Sequence, residues 1–200
     1  MTRTILGSVS AFLTAACPVC GAIIVDVGDH PLLENTPGQE IEIKVQGGDQ
    51  VQGLNFYVQI GDGGPEVGGT PGPAIQSVDI LTGTIFENNN VGQTDFDAPF
   101  GDPDILPQWE GVTTVTQTGT IAAEGLLGTI TIDTTGFFFA GQRSWPLRMT
   151  GTANGDSDFA GLPISIANGS IEILPEPSAL ILLGIGAVGL VAYRWRGRKR

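Results

Sequence analysis

Few side chains in this 200-residue chain could do chemistry, and they are scattered. His30 is the only histidine and lies in Gly28-Asp29-His30-Pro31, a turn-like segment in which a solvated imidazole is expected. No Ser-His-Asp partnership follows from its spacing. Twenty acids between Ile23 and Leu174 offer many carboxylate pairs for a glycosidase, but none is singled out. Asn154-Gly155-Asp156-Ser157-Asp158 sets oxygen ligands at i, i+2 and i+4, so Asn154, Asp156 and Asp158 are weak candidates for Ca²⁺. Phe159 stands where an EF-hand loop needs glycine, and no glutamate follows at the twelfth position. Asp95/Asp97 and Asp102/Asp104 repeat the D-x-D spacing, and the expected role of all these acids is to cap their own turns. Cys17-x-x-Cys20 would be a redox motif only at the start of a helix in a βαβ unit, and no such unit follows. With both cysteines near the N-terminus, the body has no disulfide framework, and a Cys/His zinc site or Cys-His catalysis lacks its residues. Gly184-Ile185-Gly186-Ala187-Val188-Gly189 matches the dinucleotide fingerprint. It follows no strand, though, and sits in an apolar segment eleven residues from the end. No catalytic residue is assigned.

Charge excludes another class. Between Ile23 and Leu174 the only cations are Lys44, Arg143 and Arg148, which against twenty acids gives a net charge of −17. Such a body repels nucleic acid and suits a salt-containing exterior. A glycan-binding surface would need exposed aromatic faces, for which Trp109, Trp145, Tyr57, Phe96 and Phe100 are candidates, although an aromatic in a sandwich is core by default, and Phe137-Phe138-Phe139 is expected to fill one end of the fold. The threonines at 113, 114, 116, 118 and 120 and at 129, 131, 134 and 135 resemble an ice-binding array. Threonine is also a good strand residue, and a twisted sheet is a poor flat lattice.

These residues need a scaffold, and its period is two. Ile41–Val45, Leu54–Ile60, Leu127–Asp133 and Ile164–Ile166 alternate apolar and polar side chains, and Ser170–Leu174 closes the series. Ile75, Val78 and Ile80 suggest a further strand, as does the Thr-rich run Trp109–Thr118. Turn chemistry separates the runs at 47–49, 61–65, 68–73, 88–90 and 154–156. The pattern predicts eight or nine short strands in one all-β, antiparallel sandwich or jelly roll over residues 23–174, with Asn88–Pro107 as a surface loop. A domain of about 150 residues can bury some 68–70% of its unfolded surface, so a sizeable core is expected.

The two ends read as targeting segments. Residues 1–22 combine Arg3, an uncharged apolar stretch over Ile5–Ala16 and the small residues Cys20-Gly21-Ala22, the pattern of an export signal cleaved after Ala22. Thr14-Ala15-Ala16-Cys17 leaves a lipoprotein cut at Cys17 as an alternative. At the other end, residues 175–200 hold Pro175-Glu176-Pro177, an uncharged apolar stretch over 179–193, and a basic cluster of Arg194, Arg196, Arg198, Lys199 and Arg200. Fifteen helical residues span about 22 Å, short against a hydrocarbon core of about 30 Å. Arg194 can snorkel and Trp195 suits the interface, so one short transmembrane helix is expected. By the positive-inside rule the basic cluster stays cytoplasmic and the body lies outside.

This tail resembles the PEP-CTERM sorting signal of exported bacterial proteins, with its three parts in order over about 26 residues. The resemblance implies that Pro175, Glu176 and Pro177 are the recognised residues and that an exosortase, a membrane-embedded transpeptidase-like enzyme, is the processing partner. It also implies an exopolysaccharide-forming bacterium as host. The body's rhythm resembles the cohesin and carbohydrate-binding-module sandwiches. Thr36-Pro37-Gly38-Gln39 feeds Ile41–Val45, Val51–Phe56 follows, and Glu124–Ile130 comes late. No binding residue is carried over from that likeness. The expectation is a cell-surface or matrix protein, structural or adhesive, held by a membrane helix before processing and then within or beside an exopolysaccharide layer. A glycan-binding module, with or without calcium, is the alternative, and a secreted glycoside-active enzyme the third reading.

Overall fold

The computed structural model describes residues 22–96, 108–153, 155–162, 164–176, 182, 184–188 and 194. Thirteen strands are present among them: β1 (Ile23–Asp26), β2 (Asp29–Leu33), β3 (Gln39–Gln46), β4 (Gln50–Val51), β5 (Gly53–Ile60), β6 (Ala74–Asp79), β7 (Thr94–Phe96), β8 (Trp109–Val115), β9 (Ile121–Ala122), β10 (Gly125–Asp133), β11 (Ser144–Arg148), β12 (Ile164–Ala167) and β13 (Gly169–Leu174). One sheet runs β12-β1-β3-β10-β6, the other β2-β13-β11-β5-β8-β7, and β4 and β9 form a two-stranded ribbon. The result is the expected β-sandwich.

Alternation places the core. Ile41, Ile43 and Val45 of β3 are buried while Glu40, Glu42 and Lys44 face solvent. Opposite them stand Phe56, Val58 and Ile60 of β5, all buried. At Gly128 a β-bulge shifts the β10–β3 register. A Cβ there would lie 3.2 Å from Phe56 Cε2 and 3.2 Å from Ile80 Cγ2, so the glycine makes room for the phenylalanine of the facing sheet.

Six of the thirteen strands, β1, β2, β4, β7, β9 and β11, lie outside the predicted runs. β11 contains Pro146, which reads against a central strand. Its ladder with β5 covers Leu147 and Arg148 and ends at Pro146, whose carbonyl accepts the Gly61 N–H (2.8 Å) but which has no N–H to return. β7 pairs with β8 inside the stretch read as a loop, and 97–107 lie outside the described residues. The segment around His30 is not a turn but β2, an edge strand, where Pro31 is tolerated. His30 is half-buried there, with Nε2 2.6 Å from the Val27 carbonyl.

The antiparallel expectation holds for all but two pairings. β1 lies parallel to β12, and β2 lies parallel to β13. The chain enters through β1 in one sheet and crosses at Val27-Gly28 into β2 of the other. The last two strands make the same crossing beside it. Val27 N–H donates to Ala167 O (3.0 Å) and Ser170 N–H to Gly28 O (3.1 Å), stitching the two crossings together. A Cβ at Gly169 would collide with the Gly28 carbonyl oxygen, so the crossing requires glycine there. Parallel neighbours need a long connection, and here most of the domain serves as that connection.

Candidate functional site

Strand registers define two ends of the sandwich. β13 finishes at Leu174 beside Leu33 of β2, and Glu172 lies opposite Ser144 of β11. In the other sheet, Gln39 pairs with Ile132, and Asp133 with Ala74, at the same end. This end therefore gathers 33–39, 134–144 and 174–176, and the candidate sorting segment leaves from it. The opposite end gathers Ala22, the 46–50 turn, Val91 and 115–124. The expected cleavage residue Ala22 is exposed and sits just before β1, so the start and the tail of the body point to opposite ends.

Glu34 organises the tail end. Its N–H donates to Leu174 O (2.9 Å). Its carboxylate accepts the Glu176 N–H on Oε1 (3.2 Å) and the Phe139 N–H on Oε2 (2.8 Å). One side chain thus ties the second residue of Pro175-Glu176-Pro177 to the 134–141 loop. No linker separates β13 from the motif. Next to it, the Gln39 amide imitates a strand partner. Its Oε1 accepts the Leu33 N–H (2.7 Å), and its Nε2 donates to Leu33 O (3.0 Å) and Thr36 O (3.0 Å). The buried Thr134 hydroxyl accepts the Thr36 N–H (2.9 Å) and lies 2.7 Å from Leu33 O and 2.8 Å from Thr36 O. Asn35, at φ 48°, accepts the Gly136 N–H (3.0 Å), and its own N–H reaches Phe137 O (3.0 Å). The side-chain oxygen of asparagine tolerates this left-handed position.

The three consecutive phenylalanines split by role. Phe137 meets Trp145 edge-on, ring centroids 5.4 Å apart at 87°. Phe139 lies under the Arg143 guanidinium, 4.6 Å from its centroid. Phe138 points away and is 53% exposed. Leu33 and Leu174, parallel partners, are exposed on the same edge.

Other candidates are placed as follows. Trp109 and Trp145 are each only 2% exposed, so both are core, as is the default for an aromatic in a sandwich, and neither presents a face to a sugar. Tyr57 is half-buried, its backbone N–H bonded to the Ser157 hydroxyl (2.8 Å). The Phe96 side chain and Phe100 lie outside the described residues. Asp156 accepts the Gly151 N–H (2.6 Å), and Asp158 accepts the Gly161 N–H (3.0 Å) and the Asn55 amide (3.1 Å), so both carboxylates serve backbone turns and a side chain. Asn154 lies outside the described residues. Among the described residues no group of three His, Cys, Asp or Glu side chains is placed to hold a metal ion. The Thr113 hydroxyl bonds Leu54 O and that of Thr114 bonds Gly92 O, so these do not form a flat exposed array.

Two turns carry depressed carboxylates, one at the exposed Asp62 and one at Asp79, the last residue of β6. The Asp62 carboxyl is held below its usual range by the Thr70 and Gly64 N–H groups and the Thr70 hydroxyl. At Asp79 partial burial pushes upward, but hydrogen bonds from the Thr82 hydroxyl and from the N–H groups of Thr82 and Leu81 outweigh it and hold the carboxyl low. Both are turn caps.

In the tail, residues 182, 184–188 and 194 are helical and exposed, so Gly184 and Gly186 lie within helix and not in a phosphate-binding loop. Among the described residues no helix is long and apolar enough to cross a membrane. Pro177, Arg196, Arg198, Lys199, Arg200, Cys17 and Cys20 lie outside the described residues.

Residues 174–199 match the family model described as the PEP-CTERM protein-sorting motif, and the chain therefore carries that motif. Among solved structures, the sandwich is similar to a type I cohesin–dockerin complex from Clostridium thermocellum. Identity is 16%, with 78% of this chain and 95% of that chain covered and a TM-score of 0.52. It is similar as well to the seventh ScaB type I cohesin from Pseudobacteroides cellulosolvens. There identity is 11%, with 77% of this chain and 93% of that chain covered and a TM-score of 0.50. At such identities the likeness establishes a cohesin-like fold. No curated protein matches the chain in sequence.

Proposed function

We propose that this chain is an exported protein in which the sandwich is a protein-interaction or adhesive module and the tail a delivery device. The observation that carries the reading is the sorting motif at 174–199, which begins on the last residue of β13. The leader of residues 1–22 starts translocation and is removed after Ala22. The apolar stretch 179–193 enters the bilayer. Arg194, Arg196, Arg198, Lys199 and Arg200 stay on the cytoplasmic side, and an exosortase-type enzyme then acts at Pro175-Glu176-Pro177. The released body works at the cell surface or in the matrix, in or beside an exopolysaccharide layer.

Binding of a protein suits the sandwich better than catalysis or sugar stacking. The cohesin from Clostridium thermocellum is seen in complex with a dockerin, which supports a proteinaceous ligand here. The buried Trp109 and Trp145 take away the two largest candidate sugar platforms. The acidic body, at −17, is soluble in salt and resists non-specific contact with polyanions. The test is fractionation of tagged full-length chain with Pro175, Glu176 and Pro177 all replaced by alanine. The expected result is unprocessed protein retained in the membrane fraction. Unchanged processing and surface delivery would sink the reading.

A further inference from the structure

We infer that the tail-bearing end of the sandwich is itself a membrane-contact surface, in which Phe138, Leu33 and Leu174 rest in the headgroup layer of the bilayer. The inference rests on the reading above that residues 179–193 enter that bilayer.

Chain length is the first argument. The Glu176 N–H is held by Glu34, and the apolar stretch begins three residues later at Ala179. Three residues reach at most about 11 Å even when fully extended. The polar layer on each side of the hydrocarbon core is about 5–8 Å thick. The end of the sandwich therefore stands within about one headgroup layer of the bilayer surface. Without the Glu34 tether the free run would start at Leu174 and reach about 17 Å.

The second argument is what that end presents. Leu33 and Leu174 are register partners of parallel strands, so their side chains lie side by side on one face. Both are 38% exposed. Phe138 belongs to the loop whose residues 136, 137 and 139 bond to Asn35 and Glu34, the two residues that follow Leu33. Its neighbours turn inward to Trp145 and sideways under Arg143, leaving Phe138 as the most exposed ring of the three. Arg143, one of only three cations in the body, flanks this apolar tip and can reach upward to lipid phosphates. Glu172 and Glu176 are close by, so contact comes through apolar insertion and suits a zwitterionic surface better than an anionic one.

The test uses the leader-free chain, residues 23–200, which has no native cysteine, reconstituted in phosphatidylcholine vesicles and carrying one environment-sensitive fluorophore. The label is placed at Phe138→Cys, at Leu33→Cys as a second reporter, at Val91→Cys on the far end, or at Val188→Cys in the tail. Quenching is read with headgroup-nitroxide lipids for 138, 33 and 91, and with acyl-chain-nitroxide lipids for 188, which lies deeper in the bilayer. Strong quenching at 188, with quenching at 138 and 33 several-fold above that at 91, is the expected result. Quenching at 188 with 138 and 33 no higher than 91 overturns the membrane-contact surface and leaves the inserted tail standing. A blue shift at 138 without nitroxide quenching overturns it in favour of a second copy or another protein covering the tip. No quenching at 188 overturns the inserted tail, and the contact surface with it.

Discussion

The two ends of the sandwich are closed by different means. At the far end, backbone bonds run from Gly48 N–H to Ala123 O, Ala123 N–H to Asp49 O and Thr116 N–H to Gln52 O beside the β4–β9 ribbon, and the Asn89 side chain alone imitates a strand partner, holding the Thr118 N–H (3.1 Å) and O (2.7 Å). At the tail end, side chains take the place of missing strands. Gln39, Thr134 and Glu34 between them hold the backbone of Leu33, Thr36, Phe139 and Glu176. A backbone closure depends little on residue identity. A side-chain closure is set by single residues, and single substitutions can open it. The tail end is thus the more specified of the two, and it is the end that carries the sorting motif.

The crossing shared by both halves gives the largest expected effect. Gly169→Ala drives a methyl into the Gly28 carbonyl and should cost more than about 3 kcal/mol, since backbone must move. The midpoint of urea unfolding measures it, and a loss under about 1 kcal/mol would show that the crossing can yield. Next comes Thr134→Val, which leaves the half-buried Thr36 N–H without its acceptor, while Gln39 keeps hold of the Leu33 and Thr36 carbonyls, and should cost about 1–2 kcal/mol. Thr116→Val at the far end removes only an exposed bond to Gly119 O and should stay within about 0.5 kcal/mol. Equal effects at 134 and 116 would abolish the contrast between the ends.

Glu34→Ala should cost about 1 kcal/mol and, more diagnostically, speed amide exchange at Phe139 and Glu176 while leaving Gly48 and Ala123 protected. The smallest effect is acidic. The Asp62 and Asp79 carboxyls are both depressed by hydrogen bonds in the folded state. Their stabilising effect is complete above the unfolded value near pH 4 and is lost as pH falls through the lower folded values. A melting-temperature profile from pH 6 to pH 2 should therefore fall less steeply for the Asp62→Asn, Asp79→Asn double variant than for the parent chain.

Much of this was legible in the residues themselves. Ile41–Val45 and Leu127–Asp133 announce strands because alternation is local and a half-buried sheet demands it. β2 and β11 were not legible, because Pro31 and Pro146 argue against a strand wherever the neighbouring strand is unknown. The tryptophans could not be assigned to core or surface, since alternation gives two faces without saying which one is covered. Glu34 carried no signal beyond its place in the turn-rich Glu34-Asn35-Thr36-Pro37-Gly38, because its partner Glu176 lies 142 positions away.

Sequence alone determined the class of the fold, the acidity of the body and the order of motif, apolar stretch and basic cluster, since each depends on residue type over a short span. Tertiary structure alone decided that the first two strands run beside the last two, that Trp109 and Trp145 are core, and that the sorting motif is tied to the body. Those outcomes depend on which distant segments the packing of the two sheets brings together, and no local periodicity encodes that pairing.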